Sequence, residues 1–112
     1  MPSQWKFKHP EKTLEALLDE AMVDAYGDDE QFMGVVVTLE DNLPFPFKAE
    51  LVGTTVTAIG VVEGDSNLTR GIKARVQRGG KEYLVGLDEL QPEASVKENQ
   101  YWEMYQYWLE RF

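Results

Sequence analysis

Two groups of oxygen-bearing side chains carry most of the chemistry this chain could perform. One is Glu40-Asp41-Asn42, at the end of an amphipathic stretch that stops against Pro44 and Pro46. The other is an acidic corner made of Asp24, Asp28, Asp29 and Glu30. Carboxylates near a helix C-terminus sit where the backbone already presents negative charge, at a cost of roughly 0.3–1 kcal/mol each. A hard cation removes that cost and finds oxygen ligands already gathered. At about 1.5 Å per residue, the two ends of one helix lie too far apart to share an ion. The groups are therefore separate sites, or one site and one solvated corner. Each also has a plain structural reading: Asp28 as a helix cap, Glu40 as a water-facing charge, Asn42 as a C-terminal cap.

Catalytic chemistry finds little support. His9 is the sole histidine, and Ser3, Ser66 and Ser95 have no partner that spacing identifies. The absence of cysteine removes thiolate catalysis, disulfides and Cys-based zinc sites. No phosphate-cradling loop or metalloprotease helix motif occurs, and Arg78-Gly79-Gly80-Lys81 reads as a hairpin turn. The expectation is a protein that is not an enzyme. A calcium loop of the EF-hand kind also fails. In Asp65-Ser66-Asn67-Leu68-Thr69-Arg70-Gly71, Arg70 occupies the place of the loop glycine and Val76 that of the bidentate glutamate. Like charge alone does not demand a metal: exposed charges about 6 Å apart in water repel by less than about 1 kcal/mol. A micromolar site needs about 8 kcal/mol, which several converging oxygens must supply.

The composition is consistent with this reading. The 112 residues suffice for one compact domain, and a 43% hydrophobic fraction with three Trp indicates a folded core. Twenty acidic against eleven basic residues give a formal charge of −9. That charge disfavours nucleic acid and anionic membrane and suits cations or basic proteins. Met1 to Lys8 contain no apolar signal core and no segment reaches membrane-spanning length, so a cytoplasmic protein is expected.

The elements that must position these groups are legible from periodicity. Residues 1–9 have no clear period and read as a flexible arm. Residues 10–43 read as helical. Leu14, Leu17, Leu18, Ala21, Met22 and Ala25 form one apolar face, with Gly27 closing that helix. Asp28 with Gln31 suggests a capped second helix bearing Phe32, Val35, Val36, Leu39 and Leu43, although Val35-Val36-Val37 has strand propensity. From Phe47 the period changes to two. Ala49–Val52, Val56–Val62, Gly71–Arg78 and Lys81–Val85 read as strands, with Gly53-Thr54-Thr55 as one turn and Gly79-Gly80 as a mirror-image hairpin turn. Leu87–Leu90 reads as a short helical turn. A C-terminal helix over 96–112 places Tyr101, Trp102, Tyr105, Trp108 and Leu109 on one stripe, expected to be core. The expected fold is a single α+β domain over 1–112: two N-terminal helices, a small SH3-like antiparallel β-barrel of four to five strands over 47–90, and the C-terminal helix.

Several of these segments together resemble a known family. Glu30-Gln31, Leu39-Glu40-Asp41-Asn42-Leu43 and Phe45-Pro46-Phe47 with Ala49 are similar to the motif of the CcbP-like calcium-binding proteins of bacteria and cyanobacteria. Val56-Thr57-Ala58-Ile59-Gly60, Leu87-Asp88-Glu89-Leu90-Gln91-Pro92 and Tyr105-Gln106-Tyr107-Trp108 extend the likeness, in order, from about residue 20 onward. The Asp-Asn-Leu to Phe-Pro-Phe core is the specific part. The resemblance implies Ca2+ binding outside the EF-hand class, at an acidic surface, with a buffering or sensing role. It implies Asp41 as the leading ligand, Glu40 and Asn42 as its neighbours, and Asp28 and Glu30 as a second site. The competing expectation is an SH3-like protein-interaction module that binds a protein partner independently of metal.

Overall fold

The computed structural model of the chain describes residues 5–111. Helix α1 (Glu11–Ala21) starts behind Pro10, whose fixed φ and missing N–H are no loss at a helix edge. Leu14 and Leu18, one turn apart, are its buried residues. The helix ends at Ala21, and Met22 to Gly27 form the connection to α2 (Asp28–Asn42). Gly34 marks where the two helices meet. A Cβ at that position would collide with the carbonyl oxygen of Ala21, so the close approach requires the glycine. Val35, Val36 and Leu39 are fully buried on α2. That burial outweighs the strand propensity of the valine run, because packing is worth more than a few tenths of a kcal/mol of propensity.

Five strands follow: β1 (Phe47–Leu51), β2 (Thr54–Val61), β3 (Lys73–Arg78), β4 (Lys81–Gly86) and β5 (Gln91–Pro92). All pairs are antiparallel and the order is β4-β3-β2-β1-β5. The expected barrel is not formed: the sheet is open, with β4 and β5 as its two edges. The reason is local. β5 is two residues long and ends in a proline, which cannot donate to a further ladder. The β1–β2 turn is built on Val52 and Gly53, with φ of 49° and 78°, one position before the expected Gly53-Thr54-Thr55. Gly79 and Gly80, with φ of 59° and 80°, form the mirror-image hairpin turn.

The C-terminal helix is split, in contrast to the continuous span expected over 96–112. A single turn, α3 (Ala94–Lys97), precedes α4 (Gln100–Arg111), and Phe112 lies outside the described residues. The Asn99 side-chain oxygen accepts the Tyr101 N–H at 2.8 Å, so this residue caps α4 and interrupts the helix before it. Trp102, Met104, Tyr105 and Tyr107 are buried on α4, and Trp102 meets Phe47 edge-on at 6.5 Å. Residues 1–4 of the expected arm lie outside the described residues. Residues 5–9 lie along α4, where Trp5 and Phe7 meet Tyr107 edge-on at 5.8 and 6.3 Å. Among the described residues no helix is long and apolar enough to cross a membrane.

Candidate metal site

The end of α2 is fixed by apolar residues on either side of its polar tip. Leu39 and Leu43 are buried, while Glu40, Asp41 and Asn42 between them are exposed. Beyond the helix, Phe45 stacks on Phe47 at 5.1 Å and Phe47 is buried against Trp102, which anchors the exit to the core. The last turn of α2 has no basic residue, so Glu40 and Asp41 face the negative helix end without a compensating cation on the helix. The Asn42 side-chain N–H donates to the Thr38 carbonyl at 2.8 Å. Its amide oxygen remains an acceptor.

The sheet then brings a third carboxylate to this place. Phe47, at the start of β1, pairs with Ala58 of β2 in an antiparallel register. Residues beyond Ala58 therefore run back past Phe47 toward the α2 exit. There they form a 3-10 turn, Glu63–Asp65. Ser66, almost fully buried, ties the turn down: its hydroxyl donates to the Val62 carbonyl at 2.7 Å and accepts the Lys73 N–H at 2.9 Å. The result brings the Glu63 carboxyl near enough to Glu40 to act on its charge. Two neighbouring carboxylates repel when both are ionised, and a proton or a cation relieves that repulsion. The Glu40 carboxyl is held above its ordinary value by partial desolvation, then by the hydrogen bond to Glu63 and the negative charges of Glu63 and Asp41.

The second expected site is not brought to this one. Asp28 and Glu30 lie in the first turn of α2, about 16–20 Å along the helix from Asp41. Gly27, and not Asp28, is the N-cap, and no side chain caps the helix there. Glu30 accepts the Tyr26 N–H at 3.1 Å and so supports the connection between the helices. Glu63 went unnoticed in the sequence because its role depends on strand register. The only local signal was its place in the acidic turn just ahead of Asp65. Among the described residues no group of three or more His, Asp or Glu is gathered closely enough to hold a metal by itself. The donors at the α2 exit suit calcium in kind, being oxygens only, and fall short in number without water or backbone carbonyls.

Comparisons with known proteins bear on the family and the fold. Residues 15–109 match the model of the CcbP family, described as calcium binding. The fold is similar to the crystal structure of Anabaena CcbP, with TM-score 0.72, 21% identity and 95% of each chain covered. It is also similar to a calcium-binding protein in its calcium-binding form, with TM-score 0.69 and 20% identity, covering 96% of this chain and 97% of that one. No curated protein matches the chain.

Proposed function

The chain belongs to the CcbP family of calcium-binding proteins, and on that premise we propose that it binds calcium where α2 ends, through Glu40, Asp41 and Glu63. The observation that carries this reading is the nearness of Glu63 to Glu40, two acids far apart in sequence whose charges act on each other. A divalent ion bound there would neutralise both carboxylates. It also lies at the negative end of the α2 dipole. The Asn42 amide oxygen and water would supply further oxygens toward the six to eight that calcium takes. The last carbonyls of a helix have no intrahelical donor, so they too are available to a cation. Asp28 and Glu30 form at most a weaker, separate site, since Glu30 already accepts a backbone hydrogen bond.

Sensing is favoured over simple buffering because Glu63 belongs to an anchored turn. Ser66 fixes that turn to both Val62 and Lys73. Drawing Glu63 toward an ion therefore shifts the segment beyond it as well. The test is calorimetric titration with calcium against a magnesium background, on wild type and on the variants Asp41→Asn, Glu63→Gln and Asp28→Asn. Each of the first two is expected to weaken binding roughly tenfold or more, equivalent to about 1.4 kcal/mol. Asp28→Asn leaves the main site unchanged. Undiminished binding in Glu63→Gln would refute the site. Calcium-dependent shifts of the backbone amides of residues 66–72 would mark a sensor, and their absence a buffer.

A further inference from the structure

An apolar groove lies at the other end of α2, away from the proposed ion site. One cavity of about 250 Å³ is lined by Phe32, Leu68, Ile72, Tyr105 and Trp108, with Arg70 and Asp88 at its margin. A second of about 250 Å³ shares Phe32, Leu68 and Trp108 and reaches Met22 and Asp28. The two therefore adjoin. Leu68 and Leu109 flank them with 50% and 40% of their surface exposed, large values for leucines beside a hydrophobic wall.

A second observation points to a ligand. Tyr105 is 1% exposed and lines the first cavity. Its hydroxyl has no hydrogen-bond partner among the described residues, yet it is not sealed from solvent. Burial and then the nearby charge of Asp88 keep that hydroxyl protonated, well above the usual phenol range. A phenol hydroxyl with no protein partner is free to donate to an incoming acceptor.

We propose that this groove docks a basic segment of a partner protein that carries its apolar residues on one face. Two adjoining compartments suit side chains one helical turn apart, the spacing by which amphipathic helices occupy grooves. Charge selects the partner. Among the residues lining the two cavities the charged ones are Asp28, Asp88 and Arg70, and the chain as a whole carries −9. Lysine or arginine flanking the apolar residues is complementary to that field, and an acidic segment is repelled. The proposal does not depend on calcium binding.

The experiment uses the full chain, with an amphipathic helical peptide of leucine and lysine as probe. Backbone amide shifts map its position, and titration gives its affinity. The expected shifts fall on Leu68, Tyr105 and Leu109. Leu68→Glu changes an exposed residue and is expected to weaken the probe roughly tenfold or more. Tyr105→Phe keeps the ring and weakens the probe less. Leu84→Glu adds the same charge to an exposed leucine on β4 and leaves the affinity unchanged. Equal loss in Leu84→Glu and Leu68→Glu would show charge attraction without a groove and overturn the proposal. So would shifts elsewhere, or no binding. A chain that self-associates until Leu68→Glu is introduced would assign the groove to a second copy instead, which also overturns it.

Discussion

Glu103 and His9 are 94 residues apart in sequence and joined by a 2.7 Å hydrogen bond between the carboxylate and the imidazole Nδ1. The same carboxylate accepts the backbone N–H groups of Lys8 at 2.8 Å and His9 at 2.9 Å. Glu103 is 6% exposed, so α4 buries an acid in order to hold the segment before α1. Burial alone would raise its pKa, but these three donors outweigh it and hold the carboxyl below its ordinary value.

A carboxyl with a depressed native pKa stabilises the fold above its unfolded pKa, and that contribution is lost as pH falls through the native value. Glu103→Gln is therefore expected to lower the unfolding free energy at neutral pH by about 1.5–3 kcal/mol, the worth of a hydrogen bond to a charged group. The deficit should shrink once pH drops below the ordinary carboxylate range. Urea unfolding of both proteins at neutral and acid pH measures this. A deficit independent of pH would show that the carboxylate's charge is not the source.

Glu40 behaves in the opposite sense. Its carboxyl is raised, so the native state holds that proton more tightly than the unfolded chain does. Without calcium, this contribution to stability is present at low pH and fades as pH rises from the ordinary glutamate value through the raised one. Calcium binding must release the proton, so affinity should climb across the same window and level off above it. Titration calorimetry in buffers of different ionisation enthalpy reads the released proton directly. Glu63→Gln should move the window toward lower pH, because a neutral amide does not repel the Glu40 charge.

Gly34→Ala improves helix propensity by about 1 kcal/mol yet is expected to destabilise the protein. The added methyl meets the Ala21 carbonyl oxygen, which is backbone and yields only by moving α1. A net loss of about 1–3 kcal/mol is expected, read as a lower melting temperature.

Val52→Asn should act the other way. Valine is held at φ 49° with 95% of its surface exposed, so it bears strain and contributes little packing. A β-branched residue in that region costs about 1–2 kcal/mol, which asparagine largely avoids. A gain of about 1 kcal/mol, or several degrees in melting temperature, is expected. No gain would mean that the turn relaxes around Val52.

Local patterns made much of this molecule legible in advance. Leu14 and Leu18, and Phe32 through Leu43, marked two helices by spacing alone, because a helix repeats its buried face every three to four residues. Gly79-Gly80 marked a hairpin, since a turn with positive φ at both positions selects glycine. The order of residues around Asp41 and Phe45-Pro46-Phe47 carried the family resemblance, which the match over residues 15–109 bears out. Features made by long-range pairing were not legible. β5 is too short to show a period, and the open sheet follows from how little of β1 it covers. Asn99 looked like one more helical residue until its side chain was seen to cap α4.

The amino-acid order by itself determined the element types, the acidic charge and the polar tip of α2, because propensity, periodicity and charge act over a few neighbouring residues. Only the tertiary structure decided that Glu63 meets Glu40 and that Glu103 receives Lys8 and His9. Those meetings are set by strand register and helix packing, which sum over the whole core and leave no trace at the residues they bring together.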